Sequence, residues 1–189
     1  MVKWKITNIN TVVYFNSSIK LDKLAEKISQ DYTTNYRPED FPGLVIYYDK
    51  FRMNIFRTGA MIITGIKKVE DIISVINEVK DLLKKYGTNL PENYRIEIAT
   101  SSISGKFDYN KIDIEKIGSE LEDAFYDPES FPAVIIRYNI APDYKISFNI
   151  FRNGSFVSAG FRGDLNSIIQ HIDQTVNEFQ EKVVKRYVK

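Results

Sequence analysis

The 189-residue chain has no cysteine, one histidine and one tryptophan. Without thiols it can form no disulfide, no thiolate metal site, no Fe–S cluster and no Cys nucleophile. One histidine cannot build a multi-ligand metal site on its own. His171 falls in a helical stretch beside the apolar stripe and reads as a surface helix residue. No apolar run approaches the roughly 20 residues of a membrane span. The opening Met1-Val2-Lys3-Trp4-Lys5 passes straight into alternating sequence without a signal-peptide core. A strong charge of either sign is also missing: 26 Lys+Arg stand against 25 Asp+Glu. Phosphate-loop, zinc-protease and nucleophile-elbow patterns do not occur, so no constellation supports an enzyme or calls for a cofactor. The sequons Asn16-Ser17-Ser18 and Asn153-Gly154-Ser155 read as turns.

What the chain does have is a globular composition, with 43% hydrophobic and 27% charged residues, and an internal repeat. Tyr36-Arg37-Pro38-Glu39-Asp40-Phe41-Pro42-Gly43-Leu44-Val45-Ile46-Tyr47 returns at Tyr126–Arg137 with six of 12 positions identical. Asn54–Ile66 returns at Asn149–Phe161 with six of 13 identical. The offset moves from 90 to 95, which places five extra residues around Asn139 to Tyr144, in a loop containing Ala141-Pro142-Asp143. Such a period is too long for a solenoid unit and fits a duplicated small domain, residues 1–90 and 91–189.

Each half reads alike. A strand (Trp4 to Val13; Tyr94 to Ser102) leads to a short helix carrying Leu21, Leu24, Ala25 and Ile28, or Ile114, Ile117 and Leu121. The Tyr-x-Pro-Glu-x-Phe-Pro block then feeds an apolar strand. A strand pair turns at Thr58-Gly59 and at Asn153-Gly154, where Gly tolerates positive φ. A long amphipathic helix closes each half. Its stripe is Val69, Ile72, Ile73, Ile76, Val79, Leu83 and Tyr86, or Leu165, Ile168, Ile169, Ile172, Val176, Phe179 and Val183. The layout is α+β: an antiparallel sheet per half with both helices on one face.

Nothing in the sequence covers the other face, yet Leu44-Val45-Ile46, Val134-Ile135-Ile136 and Met61-Ile62-Ile63 do not alternate as a water-facing sheet should. If Met61 and Ile63 face the helices, Ile62 and Thr64 face away, as do Val157 and Ala159 in the second half. Phe41 and Phe56, like Phe131 and Phe151, stand at matching strand ends or hairpin edges. A large exposed apolar face marks a partner site; burial of the two halves or two chains against each other is the other reading of the same pattern. Lys80, Lys84, Lys85, Lys182, Lys185, Arg186 and Lys189 fall late in the long helices, where they suit the helix dipole or form a basic outer surface.

The repeated blocks, the opening Ile6-Thr7-Asn8-Ile9 strand, the Leu21-Asp22-Lys23-Leu24-Ala25 helix and the hairpins ending in Thr64-Gly65 and Ala159-Gly160 together resemble the TATA-box-binding protein family over nearly the whole chain. The resemblance implies a saddle whose concave ten-stranded face binds A·T-rich double-stranded DNA in the minor groove. Apolar wedges there unstack base steps and kink the duplex. It places those wedges on Phe41 with Phe56 and on Phe131 with Phe151, and the groove contacts on Asn8, Asn10, Ile62, Thr64, Ile98, Thr100, Val157 and Ala159. It implies a phosphate contact at Arg137, and Arg57 and Arg152 are placed to substitute for missing basic residues. It further implies a monomer on DNA or a weak homodimer through the concave face, with no cofactor and no membrane. A TFIIB-like general transcription factor would meet the loop around Glu129.

The chain also departs from the family. Ile98 stands where the family has a second central Asn, Ala159 pairs with Thr64, and Asn10 replaces a small apolar residue. Tyr47 stands opposite Arg137 in the repeat, and Ala60 and Ser155 stand where the family has Lys. Fewer phosphate contacts weaken DNA binding through lost counterion release. The alternative expectation is therefore a protein-interaction or regulatory paralogue with weakened or lost DNA binding. Richness in Ile, Lys, Asn and Tyr suits an archaeal member acting at the nucleoid; a eukaryotic member would be nuclear.

Overall fold

The computed structural model describes all residues, 1–189. Internal contacts divide the chain into two units: Asn8–Ala99, and Met1–Thr7 together with Thr100–Lys189. Strands β1 (Lys3–Tyr14) and β6 (Arg95–Lys106) each give residues to both units.

In the Asn8–Ala99 unit the strand order is β2 (Thr33–Asn35), β3 (Gly43–Tyr48), β4 (Phe51–Phe56), β5 (Ala60–Ile66), β1. All the strand pairs are antiparallel. Helices α1 (Leu21–Ile28) and α2 (Ile72–Lys85) bury Leu21, Leu24, Ile28, Ile72, Ile76 and Leu83. They pack over the alternate strand residues Ile9, Val13, Leu44, Ile46, Met53, Ile55, Met61 and Ile63, none of which keeps any exposed surface. The expected alternation of faces, period 2 in strands and 3.6 in helices, is what joins the two layers.

The second unit repeats this plan. Its order is β6, β10 (Ser155–Gly163), β9 (Tyr144–Ile150), β8 (Val134–Ala141), β7 (Ala124–Phe125). Helices α3 (Ile114–Glu120) and α4 (Ile168–Lys182) bury Ile114, Ile117, Ile168, Ile172, Val176 and Phe179. Its core is aromatic. Phe148 stacks on Phe179 with ring centroids 3.9 Å apart, and Phe107 stacks on Phe156 at 4.4 Å.

The structure corrects several expectations. The five extra residues of the second half form no loop: β8 and β9 stay paired through Asn139↔Lys145 and Ala141↔Tyr144, so the insertion lengthens a hairpin. Pairing satisfies backbone groups that a loop would leave to water. Ile73 and Ile169 leave the buried stripe and are 42% and 44% exposed. Each follows a fully buried Ile and therefore points about 100° round the helix from it. Val69 lies in a 3-10 turn before α2, and Leu121 and Val183 lie just past the ends of α3 and α4. His171 is half-buried, its Nε2 3.0 Å from the Tyr144 hydroxyl, and burial pushes its pKa down. Of the basic residues late in the helices, Lys80 pairs with Glu92, Lys182 with Glu178 and Lys185 with Glu181.

Candidate nucleic-acid interface

The sheet face turned away from the helices is built twice. In the Asn8–Ala99 unit, Val45, Asn54, Ile62 and Val12 are each flanked by fully buried neighbours and point the other way. Cross-strand register sets them in one row: Val45↔Asn54, Asn54↔Ile62, Val12↔Ile62. A second row runs Tyr47↔Arg52, Arg52↔Thr64, Asn10↔Thr64. In the other unit the matching rows are Ile135↔Asn149↔Val157 and Arg137↔Ser147↔Ala159. Val157 is 40% exposed. The face is thus not uniformly apolar: an amide sits in the middle of the aliphatic row in each unit.

At the turn end of this face stand the phenylalanines. The Phe41 and Phe56 rings meet edge to face with centroids 5.6 Å apart, and Phe131 and Phe151 do the same at 6.0 Å. Phe41 and Phe131 are 37% and 38% exposed. The backbone that presents them is duplicated too. Phe41 N–H donates to Arg37 C=O and Phe131 N–H to Asp127 C=O, each at 2.9 Å. The hairpin turns place Gly59 and Gly154 at φ +82° and +81°, against Ser17 O and Tyr109 O, where a Cβ would stand only 2.4 and 1.9 Å away. Behind the first pair lies an open recess of about 400 Å³ lined by Pro38, Pro42, Phe56, Arg57 and Thr58.

The polar residues separate into engaged and free groups. Asn8 is engaged: its Oδ1 accepts from Gly65 N–H and its Nδ2 donates to Asn10 Oδ1, both at 2.9 Å. Arg57 donates to the Tyr36 hydroxyl and to Asp22. Arg152 donates to the Tyr126 hydroxyl and to Glu115. Each trio ties a hairpin turn to the first turn of α1 or α3 and to the Tyr-x-Pro-Glu block. The hydroxyl, and then the carboxylate, raise the pKa of each guanidinium. Arg52 and Arg137 form no ion pair; both are exposed on the helix-free face. Ile98 is only 2% exposed and presents almost no surface. Thr64, Thr100, Ala159, Ala60 and Ser155 are partly exposed.

Arg52, Asn54 and Asn149 were not singled out in the sequence. Asn54 and Asn149 do recur in the repeated Asn-Ile-Phe-Arg block, which was the available signal. Arg52 has no counterpart in the repeat, since Ser147 occupies its place, and only strand register reveals that it shares a face with Tyr47.

The family model of transcription factor TFIID (or TATA-binding protein, TBP) matches the chain twice, over residues 3–86 and 96–179. A TATA-box-binding protein of Pyrobaculum neutrophilum is 33% identical over 163 residues, 85% of this chain and 79% of its own. One from Pyrobaculum aerophilum is 31% identical over 180 residues, 94% of this chain and 86% of its own. Among solved structures, Methanococcus jannaschii TBP superposes with a TM-score of 0.77 at 26% identity, covering 96% of this chain and 99% of that one.

Proposed function

The chain belongs to the TATA-binding protein family, as the two matches over most of its length show, and on that premise we propose that it is a transcription initiation factor that binds and bends A·T-rich duplex DNA through the minor groove. The duplicated Phe pairs carry this reading. A half-exposed ring at the end of a groove-facing sheet can replace a base as stacking partner and open a base step. The aliphatic residues Val45, Ile62, Val12, Ile135 and Val157 suit a groove floor stripped of water. Asn10, Thr64 and Thr100 bring polar atoms to the groove, Ala159 and the bonded Asn8 line it, and Ile98 lies beneath.

Phosphate attraction falls first to Arg52 and Arg137, two exposed cations of this face without carboxylate partners. Arg57 and Arg152 add charge while held by Asp22 and Glu115. The relatives' names do not favour the alternative of a paralogue without DNA binding. The protein acts without a catalytic step, as a monomer on DNA at an archaeal nucleoid, with a TFIIB-like general factor as its partner at the exposed Glu129 loop. No helix is long and apolar enough to cross a membrane.

Fluorescence anisotropy with an A·T-rich and a G·C-rich duplex, titrated across salt, tests the proposal. Tighter binding of the A·T duplex is expected, weakening with salt at a slope set by a few phosphate contacts. Energy transfer between dyes at the duplex ends should report a bend. The absence of any A·T preference at low salt would defeat it.

A further inference from the structure

Asn54 is the one polar side chain on this face with a buried, unpartnered atom: its Oδ1 has no accessible surface to speak of and no hydrogen-bond partner. It lies between Val45 and Ile62 in register, with Met53 and Ile55 fully buried on either side along the strand. Asn149 holds the same place between Ile135 and Val157, and no side-chain hydrogen bond engages it either. An amide set among aliphatic side chains without a partner is unfavourable, because it gives up water and gains nothing in return. Only the Asn54 atom is fully buried, and the Asn149 amide keeps solvent; an amide recurring at the same point of both aliphatic rows points to a ligand that supplies the partner.

Neither amide atom of Asn54 is hydrogen-bonded, so rotating the group by half a turn breaks no bond. It exchanges the inward and outward atoms at little cost. The outward atom is then an N–H donor in one orientation and a carbonyl acceptor in the other. In the minor groove an A·T pair offers only the acceptors adenine N3 and thymine O2, whereas a G·C pair adds the guanine N2 amino donor. An aliphatic residue at this point would bury that amino group unpaired. An asparagine can turn to accept from it, or turn back and donate to N3 or O2.

We propose that Asn54 and Asn149 relax base selection at one position under each unit, admitting a G·C pair where the surrounding aliphatic surface admits only A·T. This rests on the DNA reading given above. Around these two points the face still discriminates, so A·T-rich DNA remains preferred overall.

The test uses the full-length protein and a set of otherwise identical A·T duplexes. In each, one pair is replaced in turn by G·C or by inosine·C, which lacks the amino group. At two positions the wild-type protein should bind the G·C and inosine duplexes within about threefold of each other; elsewhere the amino group should cost about tenfold or more. Asn54→Leu should open a gap of about tenfold between the G·C and inosine duplexes at one of the two positions and Asn149→Leu at the other, whatever either loses on the all-A·T duplex. Asn54→Ala, which does not enlarge the apolar surface, should order the duplexes as Asn54→Leu does. Binding of A·T DNA with equal rejection of the amino group everywhere, or gaps that the substitutions leave unmoved, overturns this inference and spares the DNA reading. Failure to bind any of the duplexes at low salt overturns both.

Discussion

The two halves reach one arrangement through different interiors. Repeat-matched positions are Met53 and Phe148, Met61 and Phe156, and Ile66 and Phe161, so an aliphatic and thioether core in the first becomes an aromatic core in the second. Strand register, the two hairpin glycines and the Phe pairs are nevertheless the same. Core residues are thus exchangeable within the limits of volume and apolarity. Some core residues are kept, as at Ile46/Ile136 and Ile55/Ile150, but the kept positions also include the tight hairpin glycines and the surface rings, which the core does not require. A residue held constant while its supporting layer changes is constrained by something other than packing.

Removing one ring pair at a time should have the greatest consequence. Phe41→Ala with Phe56→Ala, and Phe131→Ala with Phe151→Ala, should each weaken A·T-duplex binding by about 100-fold or more, since stacking contributes about 1–3 kcal/mol per ring. Anisotropy should show the two losses equal within a few fold if the halves are equivalent on DNA. Next in size, Phe148→Ala should cost about 3–5 kcal/mol, through the cavity and the lost Phe179 stack. Met53→Leu, at the matching position, should cost less than about 1.5 kcal/mol; urea melts read both.

A smaller effect separates Gly43 from its counterpart Ala133. A Cβ at Gly43 would stand 2.7 Å from the Phe41 ring and 3.1 Å from the Phe56 ring, so Gly43→Ala should displace the first pair and reduce DNA affinity about tenfold. Ala133→Gly should leave affinity unchanged and lower stability by about 0.5–1 kcal/mol from backbone entropy.

The smallest expected effect concerns Asp127, whose carboxylate accepts from the Ser130 hydroxyl at 2.6 Å and from Glu129 N–H at 3.2 Å. These bonds hold its pKa below the ordinary carboxylate value. A folded-state pKa below the unfolded one gives stability that is present above about pH 4 and is lost as pH falls through the folded value. Arg37 occupies the matching place in the first half. Asp127→Asn should flatten the small decline in melting temperature between pH 5 and pH 3.

Much of the plan was legible in the sequence because it rests on local signals. Thr58-Gly59 and Asn153-Gly154 marked turns that only a left-handed residue can make. The period-2 neighbours of Met61 and Val157 assigned sheet faces that burial reproduces. The ring pairs were visible as repeated Phe beside Pro or Gly. Contacts between distant residues were not legible. Arg57 and Arg152 read as free cations because Asp22 and Glu115 lie more than 30 residues away along the chain. The unpartnered amide of Asn54 depends on strand register, which no single-strand pattern contains. The extra residues near Pro142 read as a loop because pairing across a two-residue turn leaves no compositional mark.

Residues Met1–Thr7 belong with Thr100–Lys189. Val2 N–H donates to Asn177 at 3.1 Å, and the Trp4 indole donates to Asp173 at 3.1 Å. During synthesis the amino-terminal segment therefore emerges long before its partners exist. It must wait, unpaired, until almost the entire polypeptide has left the ribosome. A fragment ending near residue 90 would keep that orphaned segment, and the complementary fragment would lack it. Halves cut at the repeat boundary are thus poor surrogates for the intact molecule, and a circular permutant that carries the opening heptad behind Lys189 is the more faithful way to dissect it.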